Sequence, residues 1–321
     1  MNFLSFVNRE CPHINAAIDV AIGTLHPLVE PVARHVIEAG GKRLRPVLTL
    51  LCARIFGADT AGLYPLAAAV ELLHAGTLLH DDILDDSSLR RGRPAAHVLY
   101  GVNVAVLAGD AMCALANRLV AEYGNTHCTA ILSEALLQTA TGEIQEISLS
   151  HSLEHSQTTY LDIILGKSAW LIRAACEAGA AVAGAQEGDI ALAAEFGVNL
   201  GMGFQIVDDA LDFSPSSENT GKPVGGDLKE GKLTPPILYY LERISPQERA
   251  GMEARFVAGT FTEPETIAIA ARIRETGCDA KTLDLAHTYL DKAADCLARF
   301  PKVEEAAWLE QAVKYVGMRK S

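Results

Sequence analysis

Apolar residues recur at three- and four-residue steps along most of the chain, and period-two alternation is scarce. The spacing predicts helices over 11–22, 28–38, 45–56, 62–86, 102–122, 127–149, 156–183, 188–214, 233–243, 246–257, 263–276, 279–299 and 303–318, and with them an all-α fold. Two of the later helices open with capping chemistry: Ser245-Pro246 with Glu248, and Thr262 with Glu265. Helical periodicity breaks in SPSSENTGKPVGGDLKEGK, residues 214–232, where Pro, Gly and Ser predict a loop placed to cover a site.

Two of the predicted helices end on the same acidic pattern. Asp81-Asp82-Ile83-Leu84-Asp85 closes the stretch 62–86, and Asp208-Asp209-Ala210-Leu211-Asp212 closes 188–214. On a helix Asp81 and Asp85 share one side, as do Asp208 and Asp212, with Asp82 and Asp209 offset by about 100°. Like charges at that spacing repel by about 0.2–0.5 kcal/mol per pair, and Asp is a poor helix former. Folding alone therefore gives no reason to write the pattern twice, and two helix ends acidic by accident are disfavoured. Hard cations give a reason. Mg²⁺ takes one or two carboxylates per ion and completes its shell with water and phosphate oxygens.

Composition narrows the picture. Within 321 residues no Ser/Pro-rich linker, charge block or low-complexity segment divides the chain, so a single domain over 1–321 is expected. The chain is 49% hydrophobic but only 6% aromatic, with Ala and Leu dominant, which favours close-packed helices. A net charge of −13 argues against nucleic acid as a partner. The cysteines Cys11, Cys52, Cys113, Cys128, Cys176, Cys278 and Cys296 form no CxxC pair and read as buried thiols of a reducing compartment. No basic region followed by an apolar core marks a signal peptide. Glu71, His74, Asp110 and Glu143 interrupt the apolar stretches, so no transmembrane segment and a soluble, cytoplasmic protein are expected.

A metal cluster explains half of a phosphate site, and the basic residues supply the other half. In Gly40-Gly41-Lys42-Arg43-Leu44-Arg45-Pro46, two glycines admit a tight backbone beside three cations that can clasp a diphosphate. Arg90-Arg91-Gly92-Arg93 follows the first acidic cluster, either as a second clasp or as a salt-bridge network. Lys222, Lys229 and Lys232 lie in the covering loop, and Lys167 stands in LGKSAW. Together these describe a pocket for two anionic ligands, one held through metal and one directly. His80-Asp81 raises the alternative of an HD-type metal phosphohydrolase, but the other histidines form no matching ligand set. His74, two turns before Asp81 on about the same face, reads as a phosphate donor or as a buried structural histidine.

With these residues assembled, the chain resembles the trans-isoprenyl diphosphate synthases, most of all the long-chain polyprenyl (octaprenyl-type) ones. The resemblance rests on GGKRLRP at 40–46, ELLHAGTLLHDDILDDSSLRRG at 71–92, LGKSAW at 165–170, GMGFQIVDDALDF at 201–213 and GKPVGGDLKEGKLTPPILY at 221–239. It implies a single bundle of antiparallel helices around a deep central cavity, assembled as a homodimer, with the Asp-rich motifs facing each other at the cavity mouth. It implies a prenyltransferase that condenses isopentenyl diphosphate with an allylic diphosphate. Asp81, Asp82, Asp85, Asp208, Asp209 and Asp212 would bind about three Mg²⁺ ions per active site. Arg90, Lys167, Gln205 and Lys222 would contact the allylic diphosphate, with Ser168 keeping a hydroxyl where many relatives have Thr. Lys42, Arg45, His74 and Arg91 would hold isopentenyl diphosphate, and Asp227 and Lys232 would close over both. Asp86 stands where Glu is frequent in the long-chain group.

Chain length should depend on the cavity wall and floor. Ala75, Gly76 and Thr77 are small where farnesyl-type synthases typically place bulky aromatics, so a product longer than farnesyl diphosphate is expected. Ala111 stands where relatives are often aromatic, and Met112, Leu115, Leu119, Val120 and Leu132 are candidates for a second constriction. A short-chain farnesyl or geranylgeranyl diphosphate synthase is the first alternative. A class I terpene cyclase is disfavoured because its second metal motif normally mixes Asn/Asp, Ser/Thr and Glu. A non-catalytic regulatory subunit is disfavoured because both acidic motifs are intact.

Overall fold

The computed structural model describes residues 2–154, 156–214 and 224–319. Helix α1 spans Phe3–Ile22 and begins well before the predicted residue 11. Asn2 caps it by accepting the Ser5 N–H at 2.8 Å, and Pro12 is carried inside it. There follow α2 (Glu30–Glu38), α3 (Leu44–Ile55) and α4 (Tyr64–Leu84). A short hairpin, β1 (Leu89–Arg90) paired with β2 (Arg93–Pro94), leads to α5 (Ala96–Tyr100), α6 (Val102–Glu122) and α7 (Thr126–Leu149). Then come α8 (Gln157–Ile164), a π-turn (Leu165–Ala169), α9 (Trp170–Val182) and α10 (Glu187–Asp212). The chain ends with α11 (Gly226–Glu230), α12 (Pro235–Leu241), α13 (Pro246–Ala258), α14 (Glu263–Glu275), α15 (Cys278–Arg299) and α16 (Glu304–Gly317). The fold is all-α, as the periodicity predicts.

These elements gather into two compact units. The first comprises residues up to Leu137 with 171–197 and 296–312; the second comprises 138–170, 198–295 and Val313 onward. In the first unit the dominant packing is α4 against α6. Its closeness depends on glycine: a β-carbon on Gly76 would stand 2.8 Å from Cys113 Sγ and 3.1 Å from the Gly109 carbonyl. One on Gly109 would stand 2.4 Å from His80 Nε2, whose ring bonds the Val106 carbonyl at 3.0 Å. In the second unit Phe213, Leu228, Ile237, Tyr240, Phe256 and Ile273 bury completely together. Each such side chain contributes about 1.5–3 kcal/mol relative to exposure.

The two expected capping boxes are present at Ser245/Glu248 and Thr262/Glu265. The cysteines are free thiols, all buried except the half-buried Cys11. One expectation needs correction. By length and mean hydropathy, α6 and α10 are each apolar enough to cross a membrane, so Asp110 does not interrupt its stretch as supposed. In α10, 72% of the most apolar stretch is buried inside the fold, as in a core helix.

Candidate active site

In the first unit the acidic cluster forms the end of α4. Asp86 adopts φ 48°, the Ser87 N–H returns to the Asp82 carbonyl at 2.9 Å and the Asp86 N–H to Ile83 at 3.2 Å. This is the double hydrogen bond with which helices close on a left-handed residue, and Asp tolerates that conformation better than Glu. The helix therefore stops with Asp81 and Asp82 in its last turn and Asp85 at its C-cap. Asp82 is buried, and Arg90 forks onto it, with Nε at 2.6 Å from Oδ1 and Nη2 on the same oxygen. Arg90 comes from β1. The hairpin turns through Arg91 (φ 53°) and Gly92 (φ 74°), both left-handed as a tight two-residue turn requires.

That turn aims Arg91 at the glycine-rich segment. Its Nη1 would lie 3.2 Å from a β-carbon on Gly41, so a side chain at 41 would crowd the guanidinium. The two basic groups of the sequence thus converge. Arg43 does not join them: at φ 48° it turns inward, donating to Glu71 at 2.8 Å, Asn15 at 3.0 Å and the Ile37 carbonyl at 3.0 Å. Lys42 is exposed, and Arg45 keeps a buried Nε with no protein acceptor. Burial, then Arg45, Arg91, Arg90 and Arg43, push the His74 imidazole well below its usual pKa, so it is neutral. Burial also lowers Arg45 and Arg91, each opposed by Glu71. Crowded cations without enough countercharge are a prepared anion site.

In the second unit Asp209 is buried beneath Tyr160, whose hydroxyl donates to Oδ2, and Gln205, whose Nε2 donates to Oδ1 at 2.8 Å. Ser168 donates to Gln205 Oε1 at 2.7 Å, so it orients an orienting residue. Burial pushes Asp209 up to about 7, against the two hydrogen bonds and aided by Asp208 and Glu146. Asp208 is paired with Arg319 at 2.8 Å, and Arg319 lies 4.6 Å over the Phe204 ring. Asp212 accepts the Asp227 N–H at 3.1 Å; Asp227 is raised well above the carboxylate range by burial, then by Asp212 and Asp209.

Lys167 sits in the π-turn, a local widening of the helix common at functional sites. The turn is pressed against α7: a β-carbon on Gly142 would stand 2.3 Å from the Lys167 nitrogen, and one on Gly166 3.0 Å from the Gln138 carbonyl. Lys167 Nζ reaches Glu143 at 2.7 Å and Glu146 at 2.5 Å. Lys232 joins the same group, 3.5 Å from Glu146 and 2.7 Å from Glu230. Lys222 lies outside the described residues.

The motifs now have a geometry, and the chain as a whole is similar to known proteins. Residues 26–272 match the family model Polyprenyl synthetase. The chain belongs to that family. Heptaprenyl diphosphate synthase component 2 of Geobacillus stearothermophilus is 35% identical over 98% of this chain and 97% of its own length. A polyprenyl synthase from Caulobacter crescentus, solved with calcium and isoprenyl diphosphate, superposes with TM-score 0.94 at 38% identity, covering 99% of this chain and 97% of that one. A decaprenyl diphosphate synthase from Rhodobacter capsulatus gives 0.92 at 35%, covering 99% and 98%. Matches extend to geranylgeranyl diphosphate synthases. The protein is a prenyltransferase, and the substrates of its family are isoprenyl diphosphates.

Several of these site residues are not legible in the sequence. Glu143 and Glu146 share a helix face at i, i+3, a visible spacing that reads as an ordinary solvated pair. Tyr160 and Arg319 carry no local signal. Among the chain-length candidates, Met112, Leu115, Val120 and Leu132 are buried. Leu119 lines an open groove of about 530 Å³ with His13, Tyr64 and Arg118. Thr77 is buried, its hydroxyl donating to the His74 carbonyl at 2.8 Å. Gly76 fills the α4–α6 contact, so its smallness has a packing cause.

Proposed function

We propose that this prenyltransferase condenses isopentenyl diphosphate head-to-tail with an allylic diphosphate and repeats the step, giving an all-trans product longer than farnesyl diphosphate. The observation that carries the reading is the union, on and around α4, of a carboxylate cluster with a separate nest of Arg45, neutral His74 and Arg91. One binds anions through metal and the other binds them directly.

The donor set fits a hard divalent cation: six aspartates in two clusters, one of them, Asp209, pushed up to about 7 by burial and then by Asp208 and Glu146. Asp81, Asp82 and Asp85 with Asp208, Asp209 and Asp212 would hold about three Mg²⁺ ions. Bound there, Mg²⁺ would neutralise charge on the departing diphosphate as the allylic carbon–oxygen bond breaks. The protein's own groups do the rest. Lys167 and Lys232 exchange glutamate oxygens for phosphate oxygens, and Lys222 is proposed to join them. Arg90 orients Asp82; Tyr160, Gln205 and Ser168 orient Asp209. Lys42, Arg45, His74 and Arg91 fix isopentenyl diphosphate so that its double bond attacks the allylic cation, which apolar walls keep dry. No side-chain base stands out, and the departing diphosphate takes the proton.

A second copy of the chain is the partner we propose. Val98, Leu99, Val102 and Leu107, on and beside α5 and α6, are 53%, 52%, 49% and 65% exposed, apolar side chains that a monomer would leave wet. We further take residues 1–321 to act as one domain in the cytoplasm.

Mass measurement of the product from purified protein, Mg²⁺, isopentenyl diphosphate and an allylic primer tests the reading. Expected is elongation dependent on both substrates, reduced by at least ~10³-fold in Asp81→Ala and Asp208→Ala. A product no longer than farnesyl diphosphate would refute the chain-length claim, and release of phosphate from a single substrate would refute the activity.

A further inference from the structure

His151 holds one end of the Gly226–Lys232 segment without belonging to any motif. It lies just past the end of α7, at φ 56°, a region that few residues other than Gly, Asn, Asp and His enter. Its backbone N–H donates to the Gly231 carbonyl at 2.9 Å. Its ring Nδ1 is 2.7 Å from the Phe256 carbonyl, and since a carbonyl only accepts, Nδ1 bears the hydrogen. The neighbouring Ser150 hydroxyl donates to the Glu230 carbonyl at 3.1 Å.

Two glycines make the seat for the ring. A β-carbon on Gly231 (φ 70°) would stand 2.5 Å from its Cγ and Nδ1, and one on Gly259 (φ 62°) 3.1 Å from its Cε1. The next residue after this seat is Lys232. Its N–H donates to the Asp227 carbonyl at 2.8 Å, and its ammonium stands between Glu230 and Glu146. Glu146, five residues before His151 on the same stretch of chain, is also the partner of Lys167.

We infer that His151 is a positioning residue for diphosphate capture: by fixing the Glu230–Gly231 backbone it sets the place from which Lys232 passes from Glu146 to phosphate oxygens. The inference rests on the function proposed above, in which Lys232 contacts diphosphate. A ring that merely closed α7 would not communicate with Lys232.

The test uses the full chain, with magnesium pyrophosphate as calorimetric probe and steady-state kinetics for the allylic substrate. His151→Ala is expected to weaken pyrophosphate binding and raise KM ~5–20-fold while changing kcat less than ~2-fold. His151→Asn, which accepts the left-handed backbone and offers an amide N–H near the place of Nδ1, is expected to recover to within ~3-fold of wild type. In a Lys232→Ala background His151→Ala should add nothing, because its effect acts through that ammonium. Independent, multiplying losses in the double variant, or an Asn variant as weak as Ala, would overturn the inference. Should the Ala variant lose its helical circular dichroism, His151→Asn against His151→Gln makes the same comparison, with Gln, a methylene too long, expected to fail. Wild-type protein that binds magnesium pyrophosphate but does not elongate would refute the function while leaving the His151–Lys232 coupling measurable. Wild-type elongation without coupling would refute this inference alone.

Discussion

Arg43 and Arg45 are two residues apart and answer to different physics. Arg43→Ala strands the buried Glu71 carboxylate and is expected to cost about 3–5 kcal/mol of stability, read by urea unfolding. Arg45→Ala relieves a crowded cation and is expected to leave stability nearly unchanged while raising KM for isopentenyl diphosphate ~10-fold or more. The sequence displays three cations in four residues, but local spacing cannot say which one turns inward. That is decided by Glu71, 28 positions away from Arg43. The paired carboxylates are legible for the opposite reason, since their repulsion on a helix demands an explanation locally. Arg319 on Asp208 lies beyond such reasoning, because Arg319-Lys320 looks like any solvated pair of cations.

Helices α3, α4, α6, α7 and α10 agree with the apolar period to within two residues at either end, because each buries a continuous stripe. The disagreements have particular causes. Pro12 hides the first turns of α1, since a proline reads as a helix start although its missing N–H is tolerated mid-helix here. The two-residue strands and the five-residue helices α5 and α11 are too short to show a period. Gly76 illustrates a contact that is invisible until helices are paired. Gly76→Ala is expected to lose about 1–3 kcal/mol by overpacking against Cys113 and the Gly109 carbonyl. Cys113→Ala should restore part of that loss, and thermal unfolding of the four proteins of the cycle checks it. The capping box of α13 gives a pH signature. Hydrogen bonds from Arg272 and Ser245 hold Glu248 down at about 2, below its ordinary 4.5. A depressed carboxylate stabilises the fold fully above the higher value, and that stability is lost as pH falls from about 4.5 towards 2. Ser245→Ala should destabilise the fold at neutral pH and do so progressively less through that window, as acid titration of unfolding will show.

At the scale of the whole molecule, the proposed dimer rests on the exposed apolar side chains of α5 and α6. Leu107→Glu places a charge on the α6 face and is expected to convert a dimer to monomer by light scattering, with helicity retained. A wild-type chain that is monomeric and inactive until another protein is added would instead match the two-component naming of the heptaprenyl relative. The all-α class is legible from periodicity, and the family from ordered motifs, whereas the division into two compact units is not, because α7, α10, α15 and α16 contribute residues to both. The π-turn at Leu165–Ala169 carries a last consequence. It holds one more residue per turn than an α-helix, so deleting a single residue there would let the helix close regularly with the flanking residues kept in register, and only the widened turn that carries Lys167 would be lost. A stretch that resembles plain helix in sequence should therefore keep its helicity on a one-residue deletion within 165–169 while losing activity with the Lys167 turn, a pairing that a deletion scan across 163–172, read by circular dichroism and by turnover, would expose.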